Sequence, residues 1–286
     1  MGKRAWILLA AAAVFVCLAA PRPALADEPS GMVGTQTCGT CHEDQVKAFA
    51  ATPHAQSALG CEGCHGPGQA HVDGGGDKTK IRNFKTLTPS ESSAVCLTCH
   101  NKGMQSQWIG STHDSRKLAC VTCHDPHPKG AVPKALLRKP EFDLCTSCHL
   151  QRKAQLFRSG HMPMREGKMN CTSCHNPHGS TGPAMLLQNS VNENCYSCHA
   201  EKRGPFLWEH APVRENCLTC HDPHGSIQDN LLRMRPPILC QQCHTDTRHP
   251  SQIHTPADRF AFNHGCVNCH AMIHGSNSPS GQRFER

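Results

Sequence analysis

One pentapeptide governs this chain. The pattern C-x-x-C-H occurs ten times, starting at Cys38, Cys61, Cys96, Cys120, Cys145, Cys171, Cys195, Cys217, Cys240 and Cys266. Of 21 Cys, only Cys17 lies outside it. A zinc site would tolerate other residues after the second Cys, yet His follows every time. A disulfide framework has no reason to fix that His. The chemistry that needs two thiols and an adjoining imidazole is covalent haem attachment, in which thioethers hold the ring and the His reaches iron. The expected cofactor is therefore ten covalently bound haem c, with their iron. The thioether pairs are Cys38/Cys41, Cys61/Cys64, Cys96/Cys99, Cys120/Cys123, Cys145/Cys148, Cys171/Cys174, Cys195/Cys198, Cys217/Cys220, Cys240/Cys243 and Cys266/Cys269. The proximal ligands are His42, His65, His100, His124, His149, His175, His199, His221, His244 and His270.

Such a chain cannot build an ordinary core. It has nine Phe, three Trp and one Tyr in 286 residues, and its mean hydropathy is −0.49. The haems must supply the buried apolar mass. The 21 Pro and 23 Gly cluster after the motifs, as in Gly66-Pro67-Gly68, and break regular structure. The predicted fold class is a multihaem cytochrome c: short α-helices and loops wrapped around an elongated ten-haem array, with almost no β. Helices are expected near Glu43 to Ala51 and Leu150 to Arg158.

Residues 1–26 read as a cleaved secretory signal peptide: Lys3 and Arg4, an apolar stretch from Ile7 to Ala20, then Ala24-Leu25-Ala26. Cys17 leaves with it. Removing the leader deletes Lys3, Arg4 and Arg22, so 29 basic residues fall to 26 against 22 acidic. Twenty haem propionates then make the protein about −6 oxidised and about −16 reduced. That excludes the nucleic-acid reading that a basic chain invites.

Twelve His remain beyond the motifs. One follows each even-numbered motif closely: His71, His127, His178, His224 and His274. Another sits in each odd-to-even linker: His54, His113, His161 and His210, then His249 or His254. These read as distal iron ligands. The repeating unit is a di-haem module of about 47 residues. Residues 27–286 thus form one decahaem domain of five modules, approximately 27–95, 96–144, 145–194, 195–239 and 240–286. Three modules share C-x-x-C-H-x-P-H followed by Leu136-Leu137, Leu186-Leu187 or Leu231-Leu232. Phe49, Trp108, Phe157 and Phe206 precede the linker His and are expected to pack on haem. Ligands on opposite faces of one iron need Cα atoms roughly 12 Å apart, and three residues span at most about 10 Å. So His127 cannot serve the haem of His124, and His178 and His224 face the same limit. These His must cross to other haems, which the sequence leaves unassigned.

The run from Asn194 to Val213 (NCYSCHAEKRGP, then LWEHAPV) resembles the MtrA/DmsE family of periplasmic decahaem cytochromes. So do Cys61 to His71, Cys217 to Ser226 and Cys266 to Ser276. The resemblance spans nearly the whole mature chain and implies bis-His ligation in an electron wire. It also implies an outer-membrane β-barrel porin as sheath and an extracellular multihaem cytochrome or reductase as acceptor. A periplasmic or inner-membrane quinol-linked cytochrome would be the donor. The short N-terminal extension of that family is largely missing here, and Ser278 stands where the family tends to have His. Linker spacing favours His254 in the fifth module. The resemblance favours His249, which is adopted, leaving His254 and His264 surplus.

The expected role is electron transfer towards or across the outer membrane, from a periplasmic location, without catalysis. One alternative is a multihaem reductase of a small nitrogen or sulfur oxyanion, which would need an iron with an open position. Another is a soluble periplasmic shuttle or store. Double imidazole ligation, lacking Met, implies low potentials.

Overall fold

The computed structural model describes residues 31–57, 59–161, 164, 166–245 and 265–285. The signal segment and His249, His254 and His264 lie outside the described residues. The described chain is short helices, 3-10 turns and loops. It has no strand, only isolated bridges such as His175↔Leu186 and Ser159↔Ser226. Among the described residues no helix is long and apolar enough to cross a membrane.

Each odd-numbered motif rides on the end of a short helix: Gly34–Gly39, Pro89–Leu97, Glu141–Thr146, Val191–Tyr196 and Ile238–Gln241. Local sequence explains where two of them start. Thr88 and Glu91 form a reciprocal capping box with Pro89 at the first turn, and Ser190 accepts from the Glu193 N–H. The next helix often starts at the proximal His itself, as in Glu43–Ala50 after His42 and Leu150–Leu156 after His149. Both match the predicted helices to within two residues. Each even-numbered motif forms a single tight turn, such as Cys61–His65 or Cys120–Cys123. In the first four modules the odd-motif helix packs against the even-motif turn that follows it.

After the even motifs the chain doubles back. Arg138 N–H donates to the Cys123 carbonyl, Leu187 N–H to that of Cys174, and Arg233 N–H to that of Cys220. The reversal uses two consecutive left-handed residues: Ala135-Leu136, Ala184-Met185 and Asn230-Leu231, with φ between 51° and 57°. Such geometry costs a non-glycine residue about 1–2 kcal/mol. The structure shifts the expected Leu-Leu register in the middle copy. Met185-Leu186 is the equivalent of Leu136-Leu137 and Leu231-Leu232, since Leu137, Leu186 and Leu232 each bridge to a proximal His. Leu187 lies one step beyond and is exposed.

The polypeptide buries little apolar mass of its own. Phe49, Trp108, Ala119, Leu136 and Leu156 are its buried hydrophobic residues among those described. Phe49, Trp108 and Leu156 each stand five residues before a linker His. The buried residue of the third module is therefore Leu156. Phe157, expected to pack on haem, stands beside it and meets Phe142 edge-on.

Candidate haem sites

The motif cysteines lie in a continuous sequence order. Within each pair of motifs the first Cys side chains meet: Cys38 with Cys61, Cys96 with Cys120, Cys145 with Cys171, Cys195 with Cys217, and Cys240 with Cys266. Between pairs the second cysteines approach: Cys64 and Cys99, Cys123 and Cys148, Cys174 and Cys198, Cys220 and Cys243. Motif n thus neighbours motif n+1 along the whole described chain.

Two of the predicted thioether residues, Cys41 and Cys269, stand outside these junctions, because they belong to the first and last motifs. Both are exposed. For Cys41 that matches the other odd motifs, whose second cysteines Cys99, Cys148, Cys198 and Cys243 are also exposed. Cys269 departs from its own class. The other even-motif second cysteines, Cys64, Cys123, Cys174 and Cys220, are half-buried beside the motif that follows, and among the described residues no further motif approaches Cys269. Their place in the attachment turn is the ordinary one. Cys41 N–H donates to the Cys38 carbonyl at 3.3 Å, and Cys269 N–H to that of Cys266 at 3.2 Å.

Nine motif His face a second His. The ring centroids are 6.3 Å apart for His42–His71, 6.2 Å for His65–His127 and 5.9 Å for His100–His54. They are 6.1 Å for His124–His178, 6.2 Å for His149–His113 and 6.0 Å for His175–His224. His199–His161, His221–His274 and His244–His210 are all 6.1 Å apart. An imidazole–metal bond of about 2.0 Å, plus roughly 1.1 Å from ring nitrogen to ring centre, predicts ~6.2 Å for two imidazoles sharing one ion. Among the described residues no group of three or more His, Cys, Asp or Glu gathers to hold a bare metal ion. Two protein ligands on opposite sides suit an iron whose other positions a tetrapyrrole fills, so the residues fit haem c.

The partners come from other modules. His127 of the second module faces His65 of the first, and His54 of the first faces His100 of the second. The same exchange recurs at the next three junctions. The first motif is the exception, because His42 pairs with His71 of its own module.

Hydrogen bonds fix the tautomers. Nδ1–H of His65, His124, His175, His221 and His270 donates to the carbonyls of Arg82, Ala135, Ala184, Asn230 and Arg283. A carbonyl can only accept, so Nδ1 carries the proton and Nε2 keeps its lone pair for a metal. The left-handed residues Ala135, Ala184 and Asn230 aim three of these carbonyls, which gives the strained turns a role. Sequence reasoning missed this, since backbone carbonyls carry no residue signature. On the distal side, Nδ1–H of His71, His113 and His210 donates to Asp77, Pro177 and Ile273 carbonyls at 2.8, 2.7 and 3.1 Å. Burial pushes the imidazoles of His54, His127, His178, His210, His224 and His274 below the ordinary His value. This favours the neutral form that binds metal. The buried Trp108 Nε1–H has no acceptor within the described polypeptide, a donor left for a group outside it.

Glycines let neighbouring modules approach. Gly179, Gly225 and Gly275 each follow a crossing His and have φ of +109°, +133° and +134°. A Cβ there would lie 2.3 Å from the Gln107 oxygen, 2.1 Å from the Gln155 oxygen and 2.1 Å from the Phe206 ring.

Comparison with known proteins agrees. A family model for the doubled CXXCH motif matches residues 161–204 and 210–249, and one for NrfB-like cytochrome c-type protein matches residues 61–148. Multiheme cytochrome MtrA of Shewanella baltica is 40% identical over 273 residues, covering 88% of this chain and 81% of that one. Cytochrome c-type protein NrfB of Escherichia coli is 27% identical over 137 residues, covering 44% of this chain and 72% of that one. C-type polyheme cytochrome OmcB of Geobacter sulfurreducens is 24% identical over 193 residues, covering 42% and 26%. With its attachment motif in tandem and a likeness to MtrA over most of both chains, this protein belongs to the MtrA-type multihaem c-type cytochromes, binding haem c covalently and carrying electrons rather than catalysing a substrate reaction.

Proposed function

We propose that the chain is a ten-haem wire with bis-His ligation throughout, built as five di-haem modules within residues 27–286. The nine facing His pairs carry this reading. The ten Cys pairs, from Cys38/Cys41 to Cys266/Cys269, anchor the rings, and the ten motif His are the proximal ligands. His71, His127, His54, His178, His113, His224, His161, His274 and His210 are the distal ligands of motifs one to nine in that order. The tenth falls to His249, the linker His of the fifth module that the family resemblance favours. Bound haem c supplies reversible one-electron chemistry at low potential. The chain's own residues fix sequence order, hold each imidazole in the tautomer that leaves Nε2 free, and fill the sixth position so that small oxyanions find no open iron. That ligand supply argues against a reductase.

The wire carries electrons from a periplasmic or inner-membrane quinol-linked donor across the outer membrane. The likeness to MtrA supports this destination. A polar chain with irregular backbone and many propionates is not tolerated in lipid, so it needs a β-barrel porin as sheath, whose polar lumen suits it. An extracellular multihaem cytochrome or reductase then accepts electrons at the far end. After export and signal cleavage the protein resides in the periplasm, docked in the barrel. Reconstitution with the porin in liposomes tests this: an external reductant should reduce an enclosed acceptor. No flux, with no barrel co-purifying from native membranes, would leave a soluble shuttle.

A further inference from the structure

The residue two places before each crossing His differs along the chain. It is Asp125 before His127, Asn176 before His178, Asp222 before His224 and Met272 before His274. Where it is Asp or Asn it makes the same turn. Asp125 Oδ1 accepts the His127 N–H at 3.0 Å, Asn176 Oδ1 that of His178 at 3.1 Å, and Asp222 Oδ1 that of His224 at 3.1 Å. The scaffold is constant and the charge is not.

At Asp222 the carboxylate is held in place from both sides. Its Oδ1 lies 3.7 Å from His224 Nδ1. Its Oδ2 accepts from Gln155 Nε2 at 2.9 Å, across the junction with the preceding module. Gln155 Oε1 in turn accepts from Arg152 at 2.6 Å, so the guanidinium stands behind the glutamine, and its positive charge acts on His224 against that of Asp222. Asn176 offers His178 Nδ1 a neutral amide oxygen at 3.2 Å, while its Nδ2 donates to the Met104 and Gly179 carbonyls.

Ferric haem carries one more positive charge than ferrous haem. A fixed carboxylate beside a ligand imidazole raises ligand basicity and favours the ferric state, and a neutral amide does so less. We propose that Asp222 is a positioning residue that lowers the reduction potential of the site held by His175 and His224. Asp125 does the same for the site of His65 and His127, whereas Asn176 and Met272 carry no charge that could do so at the fourth and eighth sites. This rests on the bis-His assignment above, and the experiment separates the two.

The test is a spectroelectrochemical titration of the full-length, haem-loaded protein, with EPR of the oxidised form. Wild type should be entirely low-spin, and a high-spin site there would overturn the ligand assignment itself. Asp222→Asn should stay low-spin and move one haem equivalent in ten upward. At a fixed ambient potential its ferric-to-ferrous ratio should fall about tenfold, equivalent to 59 mV for one electron. Asp125→Asn should move a different equivalent the same way, and the double variant two. An unchanged titration in low-spin variants overturns the proposal. So does a new high-spin signal in either, since the side chain would then hold the ligand's geometry rather than tune it. If Asp222→Asn fails to mature, Asp125→Asn decides.

Discussion

His54 and His100 face each other 5.9 Å apart with their ring planes at 83°, almost perpendicular. His113–His149 and His161–His199 follow at 61° and 62°. His124–His178, His175–His224 and His221–His274 are near-parallel at 17°, 17° and 16°, as is His42–His71 at 15°. Parallel imidazoles split the iron dπ orbitals, and perpendicular ones leave them nearly degenerate. The oxidised protein should therefore give two classes of low-spin EPR signal. The highly anisotropic class should integrate to about three haems. A single class would contradict the ring angles.

Exchange of ligands between modules predicts where damage appears. His113→Ala should open the site of the Cys145 motif, one module away, and no other. Carbon monoxide should bind once per molecule. Peroxide oxidation mapped by mass spectrometry should mark peptides near Cys145–His149. Marks near Cys96 or Cys120 instead would mean that ligands stay within their own module.

The module junctions depend on missing side chains. Gly225→Ala places a Cβ on the Gln155 carbonyl at a left-handed φ, whereas a Cβ at Gly130, φ +85°, meets open space. Gly225→Ala should cost upwards of about 2 kcal/mol and Gly130→Ala about 1 kcal/mol. Guanidinium unfolding followed by circular dichroism measures both. Equal losses would mean that the junction is loose.

Glu62 ties down the N-terminal end. It accepts from the N–H groups of Val33, Gly34 and Gly68 at 2.9, 2.9 and 2.8 Å. Burial pushes its carboxyl up, but these donors together pull it further, leaving it below the ordinary Glu value. A depressed carboxyl stabilises the fold above its unfolded pKa of about 4.3 and loses that contribution as pH falls through its lower folded value. Glu62→Gln should therefore cost about 1–2 kcal/mol at pH 7. The gap to wild type should close in acid below the folded value. A pH-independent gap would show that shape, not charge, is at work.

The fifth module supplies the last prediction. If its linker His serves the tenth haem, His249→Ala creates one high-spin site and His254→Ala none. The converse would favour linker spacing over the family resemblance.

The attachment residues were legible because covalent chemistry demands fixed neighbours in sequence. Cys145, Cys148 and His149 announce themselves. What the motif does not reveal is its surroundings: Cys220 and Cys269 hold the same place in it, yet among the described residues only Cys220 has another motif beside it. The distal His stand out by their number and spacing, and chain reach alone bars His127 from His124. Its actual partner, His65, lies 62 residues back, and only the path of the intervening chain decides that. Leu156 escaped notice because an aliphatic in a helix carries no mark that separates it from Phe157 beside it. The Ala135, Ala184 and Asn230 carbonyls escaped because their role is conformational.

The crossed ligands also have a consequence in time. A chain delivered N-terminus first presents His54 before the Cys96 motif arrives, and His113 before the Cys145 motif. The odd sites after the first thus find partners waiting. The site of His65 must wait for His127, and that of His124 for His178. At any moment no more than two unfinished sites and one idle partner imidazole mark the advancing end. Everything behind is closed, so the molecule matures as a zip fastener does, with its only loose teeth at the slider.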